Sequence, residues 1–184
     1  MGGKLIGSVG LAPGSDSGFD LDTKGQIHGY TSTQYALDVG NDSDILVCDS
    51  GEASGLKYTA NTTSFIIACS DESTALTTGS AKVSFRMPYA FVLTAGEGGM
   101  RASCNQAPTG AILTVDVNEA GSTILSTKLT IAIGSTTSVG GTAPVISDVN
   151  LADNALMTID IDQIGSSNPG TGLKVTLIGY RVAH

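Results

Sequence analysis

The sequence predicts an all-β protein: a C-terminal jelly-roll-like antiparallel β-sandwich, preceded by an extended N-terminal arm and a small β module. Three observations lead there. Charged residues make up only 14 % of the chain, against a typical share of roughly 25 %. Ser, Thr, Asn and Gly stand in their place, whereas helices favour Glu, Lys, Ala, Leu and Arg. Glycine is frequent, 24 in 184 residues, nearly twice the usual share of roughly 7 %. Finally, short apolar or alternating runs recur between clusters of turn residues, the pattern of half-buried strands joined by tight turns.

Residues 1–20 read as an arm, because Gly2–Gly18 is rich in Gly and Ser and contains Ala12-Pro13-Gly14. Its few apolar residues, Leu5, Ile6, Val9, Leu11 and Phe19, are expected to pack on a partner chain. Residues 21–62 form the small β module. Its apolar pieces are Ile27–Tyr30, Tyr35–Val39, Ile45–Cys48 and Gly55–Tyr58, separated by Gly40-Asn41-Asp42 and Asp49-Ser50-Gly51. With little core of its own, it needs a neighbour to be stable. Ile27, Tyr30 and Tyr35 are the module's expected assembly contacts.

The sandwich is expected over residues 63–184. Phe65–Cys69 is an apolar run. Ala81–Leu93 alternates, with Val83, Phe85 and Met87 on one side and Lys82, Ser84 and Arg86 on the other. Pro88 marks an interruption of that ladder. Met100–Cys104 follows a glycine-rich turn. Ala111–Asn118 sets Ile112, Val115 and Val117 against Thr114, Asp116 and Asn118, and Asn118–Gly121 reads as a hairpin loop. Thr123–Ser126 returns, and Leu129, Ile131 and Ile133 form the next strand. Ser135–Thr142 is a Gly/Ser/Thr loop. Val145–Val149, Leu156–Ile161 and Gly172–Val182 complete the set, and the short Asn/Asp-rich stretch Asp148–Leu156 reads as a turn rather than a helix.

The net charge is −8 with nine Lys and Arg. That argues against nucleic-acid binding, which rests on clustered basic residues, and against an anionic membrane surface. No apolar run approaches the roughly 20 residues of a membrane-spanning helix, so no membrane insertion is expected. The three cysteines, Cys48, Cys69 and Cys104, lack metal or redox spacing and are expected to be small buried side chains of a chain made in a reducing cytoplasm.

Little in the sequence points to catalysis. A nucleophile needs an adjacent base, and the only histidines are His28 and His184. No nucleophile elbow, phosphate loop or dinucleotide fingerprint is present. The expectation is therefore no enzyme and no cofactor. Asp160 and Asp162 share one strand face, and Asp116 lies on a comparable strand. These three are weak Ca²⁺ candidates, against the simpler expectation of a solvated outer face. Asp42 and Asp44 have the spacing of the start of a calcium loop but lack its remaining ligands, and turn chemistry explains them. Carbohydrate binding favours an aromatic platform. Trp is absent, and Tyr30, Tyr35 and Tyr58 are the stacking candidates, with packing between subunits the simpler role.

Two stretches carry a resemblance. Leu21–Tyr30, continuing through Leu37-Asp38-Val39-Gly40 and Ile45–Lys57, resembles a module of fibre and other virion proteins of marine and cyanobacterial tailed phages. Tyr58 stands where that module often has Trp, and Cys48 where Ala is usual. Phe85–Phe91, Ala107–Gly110, Thr114–Asn118, Ile124–Leu129, Ile159–Gly165 and Gly172–Arg181 are similar to a β-sandwich module at the C-terminus of such proteins. The resemblance implies a virion structural protein and a homotrimer, and brings no catalytic residues; a place at the virion surface is a separate expectation. A capsid decoration or head-fibre protein, anchored by its N-terminal region to the major capsid protein, is the first expectation. The alternative is a short tail-fibre or receptor-binding protein, docked to tail proteins and recognising host surface glycans through loops such as Ser135–Thr142 or Gly96–Gly99.

Overall fold

The computed structural model describes residues 27–30, 34–38, 40 and 44–182. The arm candidates Leu5, Ile6, Val9, Leu11 and Phe19 lie outside the described residues. Among the described residues there is no α-helix, and the strands are all antiparallel where their pairing is resolved. The chain divides into a small unit, which includes the segment Leu46–Thr59, and a large one, which includes Asp44 and Ile45 together with the run from Ala60 onward.

In the small unit, β1 (Ile27–Tyr30) and β2 (Gln34–Leu37) form a hairpin with Ile27 opposite Leu37 and Tyr30 opposite Gln34. β3 (Asp44–Cys48) pairs with β4 (Leu56–Ala60). The turn between them is closed by Asp49, whose Oδ1 accepts the Gly51 N–H at 2.9 Å and whose Oδ2 pairs with Lys57. Gly40 has no room for a side chain: a Cβ there would lie 2.6 Å from Cγ of Tyr58. Two parts of the resembling stretch thus meet, with the Tyr58 ring against the Gly40 backbone.

The large unit is a two-sheet sandwich. Its strands are β5 (Thr62–Ala68), β6 (Gly79–Arg86), β7 (Phe91–Leu93), β8 (Met100–Ser103), β9 (Leu113–Glu119), β10 (Ser122–Thr123), β11 (Leu125–Thr127), β12 (Leu129–Ile131), β13 (Val145–Ile146), β14 (Asn150–Leu151), β15 (Leu156–Gln163) and β16 (Lys174–Arg181). One sheet runs β6, β15, β9, with β10 and β12 following each other along the far flank of β9. The other runs β5, β16, then β8 and β7 in succession along the opposite flank of β16, with β14 beyond β7.

β7 with β8, β10 to β12, and β13 with β14 are interrupted single strands. Counting each group once gives eight strands, ordered 1-8-3-6 in one sheet and 2-7-4-5 in the other. That is the connectivity of a jelly roll, two interlocked Greek keys. The sixth strand passes from one sheet to the other, because β13 pairs with β11 while β14 pairs with β7. It closes one side of the sandwich. On the opposite side, β5 and β6 remain the terminal strands of their sheets.

Alternation fills the space between the sheets. Leu113, Val115 and Val117 of β9 and Met157, Ile159 and Ile161 of β15 face Val175 and Leu177 of β16, Phe91 of β7 and Met100 of β8, all buried. Each such side chain is worth about 1.5–3 kcal/mol of transfer free energy. Phe91 meets Phe65 edge-on at 5.1 Å between centroids. Gly179 makes room for it: a Cβ there would stand 2.8 Å from Phe91 Cε1 and 2.0 Å from the Val92 carbonyl oxygen. The β9–β10 hairpin turns through Ala120 at φ 49° and Gly121 at φ 86°, the all-positive pair of a type I′ turn.

Several expectations need correction. Ile112 is 40 % exposed, and Leu113 is the third inward residue of β9; positions 113, 115 and 117 share one strand parity. Ile133 lies beyond β12 and is exposed, because the chain turns at Gly134 at φ 76°. Cys69 and Cys104 are buried, but Cys48 is exposed. Asp116 and Asn118 are buried rather than solvated.

Candidate functional site

The sandwich has two unlike ends. At one, the connections 87–90, 120–121 and 152–155 are short. The chain also enters and leaves the sandwich there: Thr62 is opposite Tyr180, and the Val182 N–H donates to the Ala90 carbonyl. At the other end lie four longer loops, 69–78, 104–112, 132–144 and 164–173.

Main-chain hydrogen bonds knit these loops into one crown. The Leu76 N–H donates to Gly170 O, Asn105 N–H to Thr171 O, Gly134 N–H to Pro108 O, Cys104 N–H to Thr136 O and Ser138 N–H to Ala102 O, all at 2.8–2.9 Å. Thr109 and Asn168 form an antiparallel bridge. Gly165 sits beneath that bridge, where a Cβ would lie 1.9 Å from Asn168 O. The buried Ser138 hydroxyl accepts the Ala102 N–H at 2.9 Å. The crown's exposed surface is mainly hydroxyl and amide, with Ile112, Ile133 and Val139 as its large exposed apolar side chains. Such loops on a rigid scaffold are the usual place for binding residues.

Of the two glycan-binding loops expected from sequence, Ser135–Thr142 belongs to this crown. Gly96–Gly99 does not. It is a single 3-10 turn between β7 and β8, held beside the middle of β16 by Thr94 N–H to Ile178 O and Ile178 N–H to Gly99 O. Its glycines read as a turn between whole strands, but the turn interrupts a single strand, since β7 and β8 both pair with β16.

One small cleft opens at the crown's margin, about 210 Å³ and lined by Cys69, Asp71, Thr74, Thr77, Lys82 and Ile161 among others. Ligand pockets generally run from about 300 Å³ upward. Its groups are already engaged. Asp71 accepts the Ser73 and Thr74 N–H groups at 2.9 and 2.6 Å, and Lys82 donates to Thr77 Oγ1 at 2.7 Å. Those backbone donors, Thr74 first, pull the Asp71 carboxyl down to about 2. Burial pushes the Cys69 thiol up to about 11, which keeps it out of the nucleophilic thiolate form at neutral pH.

The three carboxylate candidates gather on the outer face of the β6–β15–β9 sheet. Pairing of β9 with β15 sets Asp116 opposite Asp160. Asp116 is 6 % exposed. Its Oδ1 accepts the Thr123 hydroxyl at 2.5 Å and the Val117 N–H at 2.9 Å, and its Oδ2 pairs with Lys128 at 3.0 Å. The same ammonium reaches Asp162 Oδ2 at 2.5 Å. Asp162 first, then Asp116, raise the Lys128 pKa. Asp160 turns to the Ala81 N–H, at 2.6 Å. Lys128 therefore stands between Asp116 and Asp162 as the network's own cation. Among the described residues, no cluster of three or more His, Cys, Asp or Glu is arranged to hold a metal.

Ile27, Tyr30 and Tyr35 lie on the β1–β2 hairpin, with Tyr35 opposite Gly29; their side chains lie outside the described set. Tyr58 is half-buried against Gly40. The chain matches no protein-family model, no curated protein and no solved structure. The jelly-roll description thus rests on strand order alone, and no activity follows from such a fold.

Proposed function

We propose that this chain is a non-enzymatic structural protein of a tailed-phage virion, a capsid decoration or head-fibre protein anchored through its N-terminal region. The observation that carries this reading is the polarity of the sandwich. Its chain enters and leaves at the end of short turns, and its long loops are locked together at the other. Such a domain suits attachment at one end and presentation at the other. The resemblance of Leu21–Lys57 to a virion module supplies the setting. Main-chain pairing and apolar burial between chains supply the mechanism, with the major capsid protein as the anchoring partner.

The test is location and anchoring. Imaging of labelled protein on virions is expected to show copies over the shell. Deleting Met1–Gly18 is expected to abolish capsid binding while the sandwich keeps its β circular-dichroism spectrum. A truncated protein that still decorates the shell overturns the anchoring.

A second reading is a receptor-binding protein at the tail, favoured by the hydroxyl- and amide-rich crown around Ser135–Thr142. It predicts labelling at the tail and a glycan-array signal lost on replacing residues 135–142 with a short Gly/Ser linker. Shell-wide label with an empty array eliminates it.

A further inference from the structure

Among the described residues, three edges of the sandwich are protected against pairing with other chains, and one is not. The Met87 N–H donates to Ala155 O, extending the β6–β15 register of Arg86 opposite Leu156. Antiparallel pairs alternate in direction, so Lys82, Ser84 and Arg86 turn their backbone groups toward the free side of β6. Two of the three carry charge, and Ala81, at φ 49°, kinks the strand just before them. Charges and bulges are the ordinary devices that blunt an edge. β14 has only two residues. The β10–β12 flank is covered where β11 pairs with β13.

β5 has none of these protections. Its seven residues, Thr-Thr-Ser-Phe-Ile-Ile-Ala, contain no charge and no proline and pair with β16 without a register shift. Among the described residues no strand pairs with its other flank. The Cys69 N–H donates to Leu173 O at 2.8 Å, continuing the register of Ala68 opposite Lys174. By the same alternation, Thr62, Ser64, Ile66 and Ala68 turn their N–H and C=O groups outward. Ile66 is 70 % exposed in the middle of this run.

We propose that β5 is a self-association edge, which pairs antiparallel with β5 of a second copy about a twofold axis. The outward positions 62, 64, 66 and 68 then meet 68, 66, 64 and 62 of the other copy, so donors and acceptors match without adjustment. Phe65 falls at the axis, and Ile66 is covered from the side. The two sheets become one continuous sheet across both copies. A second copy is the fitting occupant because the strand is uncharged in a chain of net charge −8: close approach brings no like charges together at the contact. A twofold contact is isologous and closes on itself. It differs from the homotrimer that the virion resemblance implies, and it goes beyond the virion reading without depending on it.

The test is the mass of the full chain by light scattering after size exclusion, across a range of micromolar concentrations. A dimer is expected. Ile66→Lys places a charge in mid-edge, and Ser64→Pro removes an outward N–H while leaving the β16 ladder intact. Each is expected to weaken dimerisation at least tenfold, with an unchanged circular-dichroism spectrum. Ser84→Lys, the same kind of change on the β6 edge, is expected to leave the mass alone. In wild type, the Ser64 and Ile66 amides are expected to gain protection from hydrogen exchange as concentration rises. A monomer throughout, a trimer, or a dimer that survives Ile66→Lys overturns the proposal. Labelling on virions tests the functional reading separately.

Discussion

Asp160 holds the bulge in β6: its Oδ1 accepts the Ala81 N–H at 2.6 Å, and Ala81 sits at φ 49°. On either side of that contact, Ile159 pairs with Val83 but Ile161 with Gly79, so β6 spends extra residues against β15. A carboxylate that looks like a candidate ligand in the sequence thus serves the backbone. Asp160→Ala is expected to cost about 1–2 kcal/mol, the loss of a charge-assisted hydrogen bond. Asp160→Asn keeps an acceptor oxygen and is expected to cost less. Urea unfolding curves measure both, and equal losses would show that the bulge does not depend on the acceptor.

Lys128 serves Asp116 in a comparable way. Asp116 is nearly buried, while the Lys128 side chain remains 43 % exposed, so solvent screens the pair. Lys128→Met is expected to cost about 1–2 kcal/mol, less than the roughly 3–5 kcal/mol of a fully buried broken pair. Adding Asp116→Asn to that variant is expected to restore part of the loss in a double-mutant cycle. The Lys128 pKa is raised in the folded state. Its contribution is therefore complete below the unfolded value of about 10.4 and fades as pH climbs through the higher folded value. The stability gap between wild type and Lys128→Met is expected to be constant at neutral pH and to narrow only above about pH 10.4.

Asp71 sets the acid side. Its carboxyl is lowered to about 2 by the Thr74 and Ser73 N–H groups. A depressed carboxylate stabilises the fold above its unfolded value of about 3.9 and ceases to as pH falls toward the folded one. The difference in melting temperature between wild type and Asp71→Ala is expected to hold steady above about pH 4 and shrink between about pH 4 and 2. A difference that is flat across that window would mean the turn at 71–74 does not feel the charge.

Thiol chemistry reports on burial. Cys48 is exposed, whereas Cys69 and Cys104 are buried with thiols pushed up by desolvation. A thiol reagent at neutral pH is expected to modify Cys48 quickly in the native protein, and Cys69 and Cys104 only after unfolding. Peptide mapping of the labelled protein identifies the sites.

The sequence displayed the sandwich through parity: Val83, Phe85 and Met87, or Val115 and Val117, alternate cleanly because one side of each strand must be apolar. It hid what crosses between strands. Nothing local distinguishes Asp116, closed over by Thr123 and Lys128, from Asp162 at the rim, because their partners come from other strands. Ile112 and Ile133 misled because apolar residues in a loop look like strand ends until the turns at Gly110 and Gly134 are seen. Of the sixth strand only the first half is legible, within Val145–Val149; its second half, Asn150–Leu151, lies in the stretch Asp148–Leu156 that reads as a turn, since the two halves serve different sheets.

The shared end at which the sandwich takes in and gives out its chain has a practical corollary. Gly140 and Gly141 lie in an exposed stretch of the opposite crown, and Gly140 at φ 83° already tolerates a sharp reversal. A peptide spliced between them would be carried at the far tip, clear of both chain termini of the domain. An insertion at that tip is set apart from the side where the chain enters and leaves the sandwich.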